Sequence, residues 1–550
     1  MSTSPVFSLC DEYIHELARI DPVAATSMGV PGDDLAPGTD YGPDGIEARA
    51  ELKRTTLRKL NDLTAAGDAD RLAAMHLRER LEAELAWHDS GEPLRLVRAP
   101  FGLIQLLCNN PTLMPRGDQP QWQAVAARLA AMPQMLASWR RALATGLERG
   151  LPAARRQVVA AADQAEQYAQ RRTFQSLVDE YGDGPVAAAL AEAATAGHAA
   201  LAETARWLRE EYAPAAAEAD PVGPQRYAVA ARMSWGADLD PVEAYEWAWE
   251  ELRRLEDELA AEAQRVRPGA SVEEAIAHLD AAAPLAGVDA YRNWLQDRHD
   301  EAIERLNGVH FDIAEPLRRV EVVALSTSAA GSAYYTPPTE DFSRPGRTWW
   351  PVAGRERFAV WSELTTVFHE GVPGHHLQLG QLLLERDRLS RFSRLSRVSA
   401  HSEGWALYAE RLADELGWHD GVPGGRLGML KGSALRAARV VIDIGFHLDL
   451  PLPASEASRH GPRWTYETAT EVLRDRGRIA AHRLHPEVLR YAGWPAQASS
   501  YKLGERAWLA ARRDAQARSG PAFDLKDWHT RALALGPVGL ATLADALASL

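Results

Sequence analysis

Phe368-His369-Glu370-Gly371-Val372-Pro373-Gly374-His375-His376-Leu377-Gln378 places a carboxylate and three imidazoles side by side in a mostly helical pattern. The stretch begins as the zinc-protease signature His-Glu-x-x-His does and then departs from it. In the signature, two histidines leave one helix face at i and i+4 and share an ion, with the glutamate as general base. Here His375 stands six residues beyond His369 and His376 seven. Six helical steps leave a ring roughly 240° round the axis. Seven return it to within about 20° but lift it roughly 10 Å, too far for two rings on one ion. Neither pairing works in a regular helix. Pro373 cannot keep the helical bond to residue 369, and Gly374 admits unusual dihedrals. A bulge at 372–374 is therefore expected, returning either His375 or His376 to the metal.

A catalytic zinc site takes three protein ligands and leaves a position open. The third ligand is expected on the next strong helical stretch, Ala400-His401-Ser402-Glu403-Gly404-Trp405-Ala406-Leu407-Tyr408-Ala409-Glu410. Glu403 is the chosen residue. Glu410, two turns on, reads as a residue behind the ligands or at the surface, and His401 is a further candidate donor.

The rest of the chain supplies the frame. Before the motif, Val320-Glu321-Val322-Val323-Ala324-Leu325 is β-branched and reads as a strand. Two further extended segments, around Tyr334-Tyr335 and Trp349-Trp350, complete a small sheet or hairpin. Tyr334 and Tyr335 either edge a strand that pairs with a peptide backbone or pack a hydrophobic hairpin on the core. Upstream, amphipathic periodicity predicts helices over 6–20, 45–66 and 69–89, with Asp21-Pro22 capping a helix between the first two. Asp, Gly and Pro make 32–45 a loop, and 93–120 reads as irregular. Alanine-rich helices continue to residue 211, and Asp240-Pro241 opens another long helix. Beyond the motif, helices are expected near 400–416, 425–448, 463–482 and 498–517. Asp443 and His447, at i and i+4 in the second of these, form either a pair that orients a ligand or a structural hydrogen bond. The fold class is mostly α, as one catalytic unit with lobes at 1–310 and 311–550.

Composition narrows the function. The chain of 550 residues has 46% hydrophobic and 25% charged residues, as a globular protein with a large core does. A net charge of −15 excludes a nucleic-acid partner, which needs a basic footprint. Two cysteines, Cys10 and Cys108, support neither a disulfide framework nor a cysteine-rich zinc site. With no signal-peptide pattern and no apolar run long enough for a membrane span, a cytoplasmic protein without a membrane partner is expected.

The His-Glu-Gly-Val-Pro-Gly-His-His-Leu-Gln motif, with Ser-Glu-Gly-Trp-Ala-Leu-Tyr-Ala-Glu downstream, resembles the bacterial domain-of-unknown-function 885 family. So do Asp11-Glu12-Tyr13 and Asp21-Pro22-Val23-Ala24-Ala25-Thr26 near the start. Asp443-Ile444-Gly445-Phe446-His447 and Gln497-Ala498-Ser499-Ser500-Tyr501-Lys502-Leu503-Gly504 resemble its late signatures. The chain departs from the family pattern at Trp494-Pro495-Ala496-Gln497 and lacks a Gly-Trp after His447. That family is similar to helical gluzincin-type zinc peptidases, whose two lobes flank a deep channel. The resemblance implies His369, His375 and Glu403 as ligands of Zn2+, Glu370 as general base and Tyr501 as oxyanion donor. Gln497 and Lys502 come with the same late signature, although Tyr501 and Lys502 read equally as a helix-start contact. The function expected is zinc-dependent hydrolysis of amide bonds, most readily in short peptides. The alternatives are a metal-dependent amide hydrolase of a specialised metabolite and a channel-bearing binding protein that has lost its metal.

Overall fold

The computed structural model describes residues 4–30, 37–282, 284–325 and 332–548. The chain is mostly helical with a few short strands. It divides into two compact units, one of Met1–Val229 with Ala492–Trp494 and the other of Ala230–Tyr491 with Pro495–Leu550. The division falls at 229, whereas the sequence suggested lobes at 1–310 and 311–550. In the second unit, helix Pro241–Val266 packs along helix Gly425–Leu448, and helix Val288–Leu306 packs on the strand Val320–Leu325. Those contacts tie 241–310 to the motif-bearing half of the chain.

In the first unit prolines open two helices, one of them at the expected Asp21-Pro22. Ser4 Oγ accepts from Phe7 N at 3.0 Å and opens helix Pro5–Ile20. Asp21 Oδ1 accepts from Ala24 N at 3.0 Å and opens Pro22–Met28, which satisfies an amide the helix itself cannot. Part of the 32–45 loop, residues 32–36, lies outside the described residues. The core gathers helices Gln119–Ala130, Met132–Glu148, Arg155–Gln170 and Ala187–Trp207, with Ala161, Ala162, Ala165, Ala193 and Ala194 buried among larger side chains. Segment 93–120 is more regular than expected. Helix Leu103–Leu113 runs through it, burying Ile104, Leu107 and Cys108 on one face at i, i+3 and i+4.

The second unit holds the motif. Its three-stranded sheet has Gly346–Pro351 in the middle, parallel to Val320–Leu325 and antiparallel to Tyr334–Thr336. Burial alternates along the middle strand, so Thr348 and Trp350 face the core while Trp349 stacks on Tyr334 with ring centroids 5.8 Å apart. The helix expected over 463–482 is shorter, Tyr466–Gly477. Arg478 closes it in the left-handed region at φ 48°, and a further helix, Ala481–Gly493, comes after it. Among the described residues no helix is long and apolar enough to cross a membrane.

Candidate metal centre

The bulge is present. Helix Leu364–Glu370 stops at Gly371, whose dihedrals of −96° and −129° leave the helical region, and Gly371 N closes the last turn on Val367 O at 2.8 Å. The Val372–Pro373 peptide is cis. At Gly374, ψ is −132°, and helix His375–Leu384 then starts afresh. Gly374 N donates to Phe368 O at 3.0 Å, so the chain folds back on the turn it has just left. A Cβ on Gly374 would stand 2.0 Å from His369 O, which glycine alone avoids. Trp405 Nε1 donates to Pro373 O at 2.8 Å and ties the break to helix Ser399–Glu415.

The fold-back brings His375 against His369, their ring centroids 4.9 Å apart and nearly perpendicular. His376 is not among the converging donors. Its Nε2 donates to Leu317 O at 2.9 Å, and its Nδ1 accepts from Tyr335 Oη at 2.9 Å. Both nitrogens are used, and burial lowers the imidazole to about 4, keeping it neutral.

Glu403, on helix Ser399–Glu415, completes the group. Its Oε2 is 3.4 Å from His369 Nε2 and 3.5 Å from His375 Nε2. One donor atom from each of His369, His375 and Glu403 lies within 4.8 Å of the others. Ligands about 2.05 Å from a tetrahedral ion sit about 3.35 Å apart along the tetrahedron's edge. The two carboxylate-to-imidazole distances match that edge, so the residues fit a zinc ion. Glu403 is a fifth exposed and His375 about a tenth.

Glu410 has the role behind the ligands. It stands seven residues after Glu403, two turns along the same helix face. Its Oε1 accepts from His369 Nδ1 at 2.8 Å, which leaves Nε2 free to ligate. The other oxygen accepts from Thr365 Oγ1, and Arg436 Nη2 lies 3.6 Å from Oε1. Burial opposes ionisation of Glu410, but Arg436, His369 and Thr365 outweigh it and hold the carboxyl near 2. Burial also works against His369 as a cation, yet Glu403 and Glu410 raise it to about 9. Glu403 is held well below the carboxylate range by the two imidazoles, against the pull of burial. Glu370 moves the other way. Its burial dominates and raises it above the usual carboxylate value, with His369 and His375 offsetting only part.

Tyr501, on helix Gln497–Ser519, lies close enough to Glu403 for that carboxylate to raise its phenol, after burial, which is the larger cause. Arg439 sits over its ring at 5.0 Å, and Gln497 hydrogen-bonds the phenol. The remaining candidates fall elsewhere. His401 is buried against Trp508, with ring centroids 5.3 Å apart, and is not among the converging donors. Asp443 accepts from Ala496 N at 3.1 Å and Ser499 Oγ at 2.6 Å, holding the start of helix Gln497–Ser519. His447 Nε2 meets Tyr491 O at 3.0 Å and stands 3.9 Å from Asp443, so these contacts of the pair join it to the chain around helix Gln497–Ser519. Lys502 is buried among Ser433, Glu251 and Glu505. Sequence reasoning missed Thr365 and Arg436. Thr365, one turn before His369, could have been found from helical spacing; Arg436 had no local signal. Tyr334 stays partly exposed at the sheet edge, while Tyr335 turns inward to His376.

The chain is similar over nearly its whole length to two solved bacterial proteins. One, from Colwellia psychrerythraea and described as a "putative lipoprotein", superposes with a TM-score of 0.82 at 21% identity, covering 98% of each chain. The other, from Shewanella oneidensis and described as a "putative lipoprotein of unknown function", gives 0.74 at 16% identity, covering 99% of each. At these identities the likeness shows a shared fold. No curated protein matches the chain. The model of the family described as bacterial protein of unknown function, DUF885, matches residues 22–547, and the chain belongs to that family.

Proposed function

We propose that the chain is a metal-dependent hydrolase of amide bonds, acting on short peptides. The observation that carries this reading is the convergence of His369, His375 and Glu403, with the carboxylate at tetrahedral-edge separation from both imidazoles, beside the buried Glu370. These three residues would hold a zinc ion, which when bound would supply Lewis-acid polarisation of the substrate carbonyl and acidify water. Glu370, raised by burial above the usual carboxylate value, would take the proton of the attacking water and pass it to the leaving amine. Tyr501 carries a phenol that stays protonated and would donate a hydrogen bond to the oxyanion as the carbonyl becomes tetrahedral. Glu410 keeps the Nδ1 proton of His369 in place, fixing ring and tautomer.

The test combines zinc content with turnover. Purified wild type should carry one zinc per chain and His369→Ala should carry none. A peptide library should be cleaved by the wild type and left intact by Glu370→Gln. Zinc-free wild type, unchanged zinc in His369→Ala, or undiminished cleavage by Glu370→Gln would sink the reading.

A further inference from the structure

A cavity of about 240 Å3 lies in the second unit, bordered by helix Val288–Leu306, helix Leu364–Glu370 and the turn Trp418–Gly421. None of His369, Glu370, His375 and Glu403 is among its lining residues. The first helix contributes Arg298, Glu301 and Arg305, at i, i+3 and i+7 and so on one face. Leu364 and Phe368, one turn apart, come from the helix that carries His369. Each stands one residue, about 100° of rotation, before Thr365 and His369. The cavity thus borders a different face of that helix from the one that carries the metal donor. Trp418 comes from the turn, its ring centroid 5.6 Å from that of Phe368.

The lining divides into an apolar floor and a charged rim. Leu364, Phe368 and Trp418 are buried, whereas Arg298, Glu301 and Arg305 reach solvent. Glu301 answers both guanidiniums, Arg298 at 3.1 Å through one carboxylate oxygen and Arg305 at 3.4 Å through the other. Among the described residues no other carboxylate lies within ion-pair distance of either arginine. Two cations against one carboxylate leave the rim one positive charge in excess. Arg298 Nε is buried with no hydrogen-bond partner among the described residues, a state that costs free energy until an acceptor arrives. Arg305 lies over Trp418, its Cζ 4.5 Å from the ring centroid, so the charged rim and the apolar floor meet there.

We propose that this cavity is a ligand site separate from the metal donors, and that it takes a small carboxylate carrying an aromatic or branched aliphatic body. The carboxylate would answer Arg298 and Arg305, whose planar guanidiniums match its geometry. The body would cover Leu364, Phe368 and Trp418. The excess positive charge disfavours a cation, and a neutral ligand leaves it unanswered. The volume is below the about 300–1,000 Å3 of pockets for drug-sized molecules, which limits the occupant to one ring or branched chain with its head group. This binding does not rest on the hydrolase reading.

The test is calorimetric titration of the full chain with hydrocinnamate, its primary amide and propionate. Hydrocinnamate should bind about 10- to 100-fold more tightly than either of the others, because the amide lacks the charge and propionate lacks the body. The double variant Arg298→Gln with Arg305→Gln should bind acid and amide alike while its circular dichroism stays unchanged. Arg305→Gln alone, at an exposed position, should narrow the preference and serves where the double variant does not fold. Dialysis of the wild type against a chelator should leave hydrocinnamate affinity unchanged, because no metal donor lines the cavity. Equal binding of acid and amide, no measurable binding of any probe, a preference that survives the arginine substitutions, or an affinity that disappears with the metal would overturn the site. A wild type without zinc or without peptide cleavage defeats the hydrolase reading and leaves this site standing.

Discussion

Gly374→Ala should empty the metal centre without touching a ligand. A Cβ at this position would lie 2.0 Å from His369 O, 2.3 Å from Phe368 O and 2.6 Å from His369 C. All three atoms are backbone, so no side chain can swing aside. Reaching ordinary contact requires a backbone shift of about 1 Å or more, since carbon contacts settle near 3.5 Å. The chain that must move links His369 to His375, and functional sites tolerate displacements of only about 0.5 Å. Overpacking of this kind costs about 1–3 kcal/mol in stability. The control is Gly67→Ala, where a Cβ meets nothing within 4 Å; its effect should stay within about 1 kcal/mol. Zinc per chain, measured after dialysis against a weak chelator, should drop to a small fraction of the wild-type value in Gly374→Ala and stay full in Gly67→Ala. The thermal midpoint should fall only in the former. A Gly374→Ala protein with full zinc and an unshifted midpoint would refute the reasoning that the fold-back at Gly374 assembles the donors.

Three further outcomes are expected. Glu410→Gln removes the charged acceptor on His369 Nδ1 and should weaken zinc about 10- to 100-fold, read by competition with a chromogenic chelator. Apparent zinc affinity should climb about tenfold per pH unit toward pH 9 and then level. His369 without metal is a cation below its value of about 9, a cation cannot ligate, and metal must displace the proton. Calorimetry in buffers of different ionisation enthalpy should count the proton released, and a pH-independent affinity would contradict the assignment. Tyr501→Phe should leave zinc content intact and lower kcat about 100- to 1000-fold, as loss of an oxyanion donor does; steady-state kinetics on a cleaved peptide decides it.

Local chemistry made part of this legible from sequence. Pro373 and Gly374 forbid a continuous helix, so the interruption between Glu370 and His375 is dictated by residue type alone. The separation of Glu403 and Glu410 by two turns puts both on one face, where His369 can lie between them. The features that resisted are decided at long range. His376 and His375 are adjacent and chemically alike, and only Leu317 O and Tyr335, from distant segments, draw His376 away. Asp443 and His447 carry the spacing of an orienting pair, yet Ala496, Ser499 and Tyr491 claim them. Helix Leu103–Leu113 was hidden because prolines and glycines crowd its flanks, though its own apolar positions recur at helical spacing. The boundary at 229 lies within helix Gly223–Trp235, so no linker composition marks it.

Catalysis at this site would depend on a contact between two glycines. A Cβ on Gly404 would stand 2.4 Å from Gly504 C, and one on Gly504 would stand 2.0 Å from Ala400 O. Helices Ser399–Glu415 and Gln497–Ser519 therefore meet backbone to backbone at these two glycines. Ser399 and Ser500 join their hydroxyls at 2.8 Å, and Trp508 Nε1 donates to His401 O at 3.2 Å along the same seam. Glu403 directly precedes one of these glycines, and Tyr501 stands three residues before the other. Because both residues ride on helices locked at one crossing, the distance between Glu403 and Tyr501, the proposed third ligand and oxyanion donor, is set by main-chain packing and not by a loop. A site built this way loses little order when a ligand arrives, which is the condition under which a single phenol can contribute fully to a transition state.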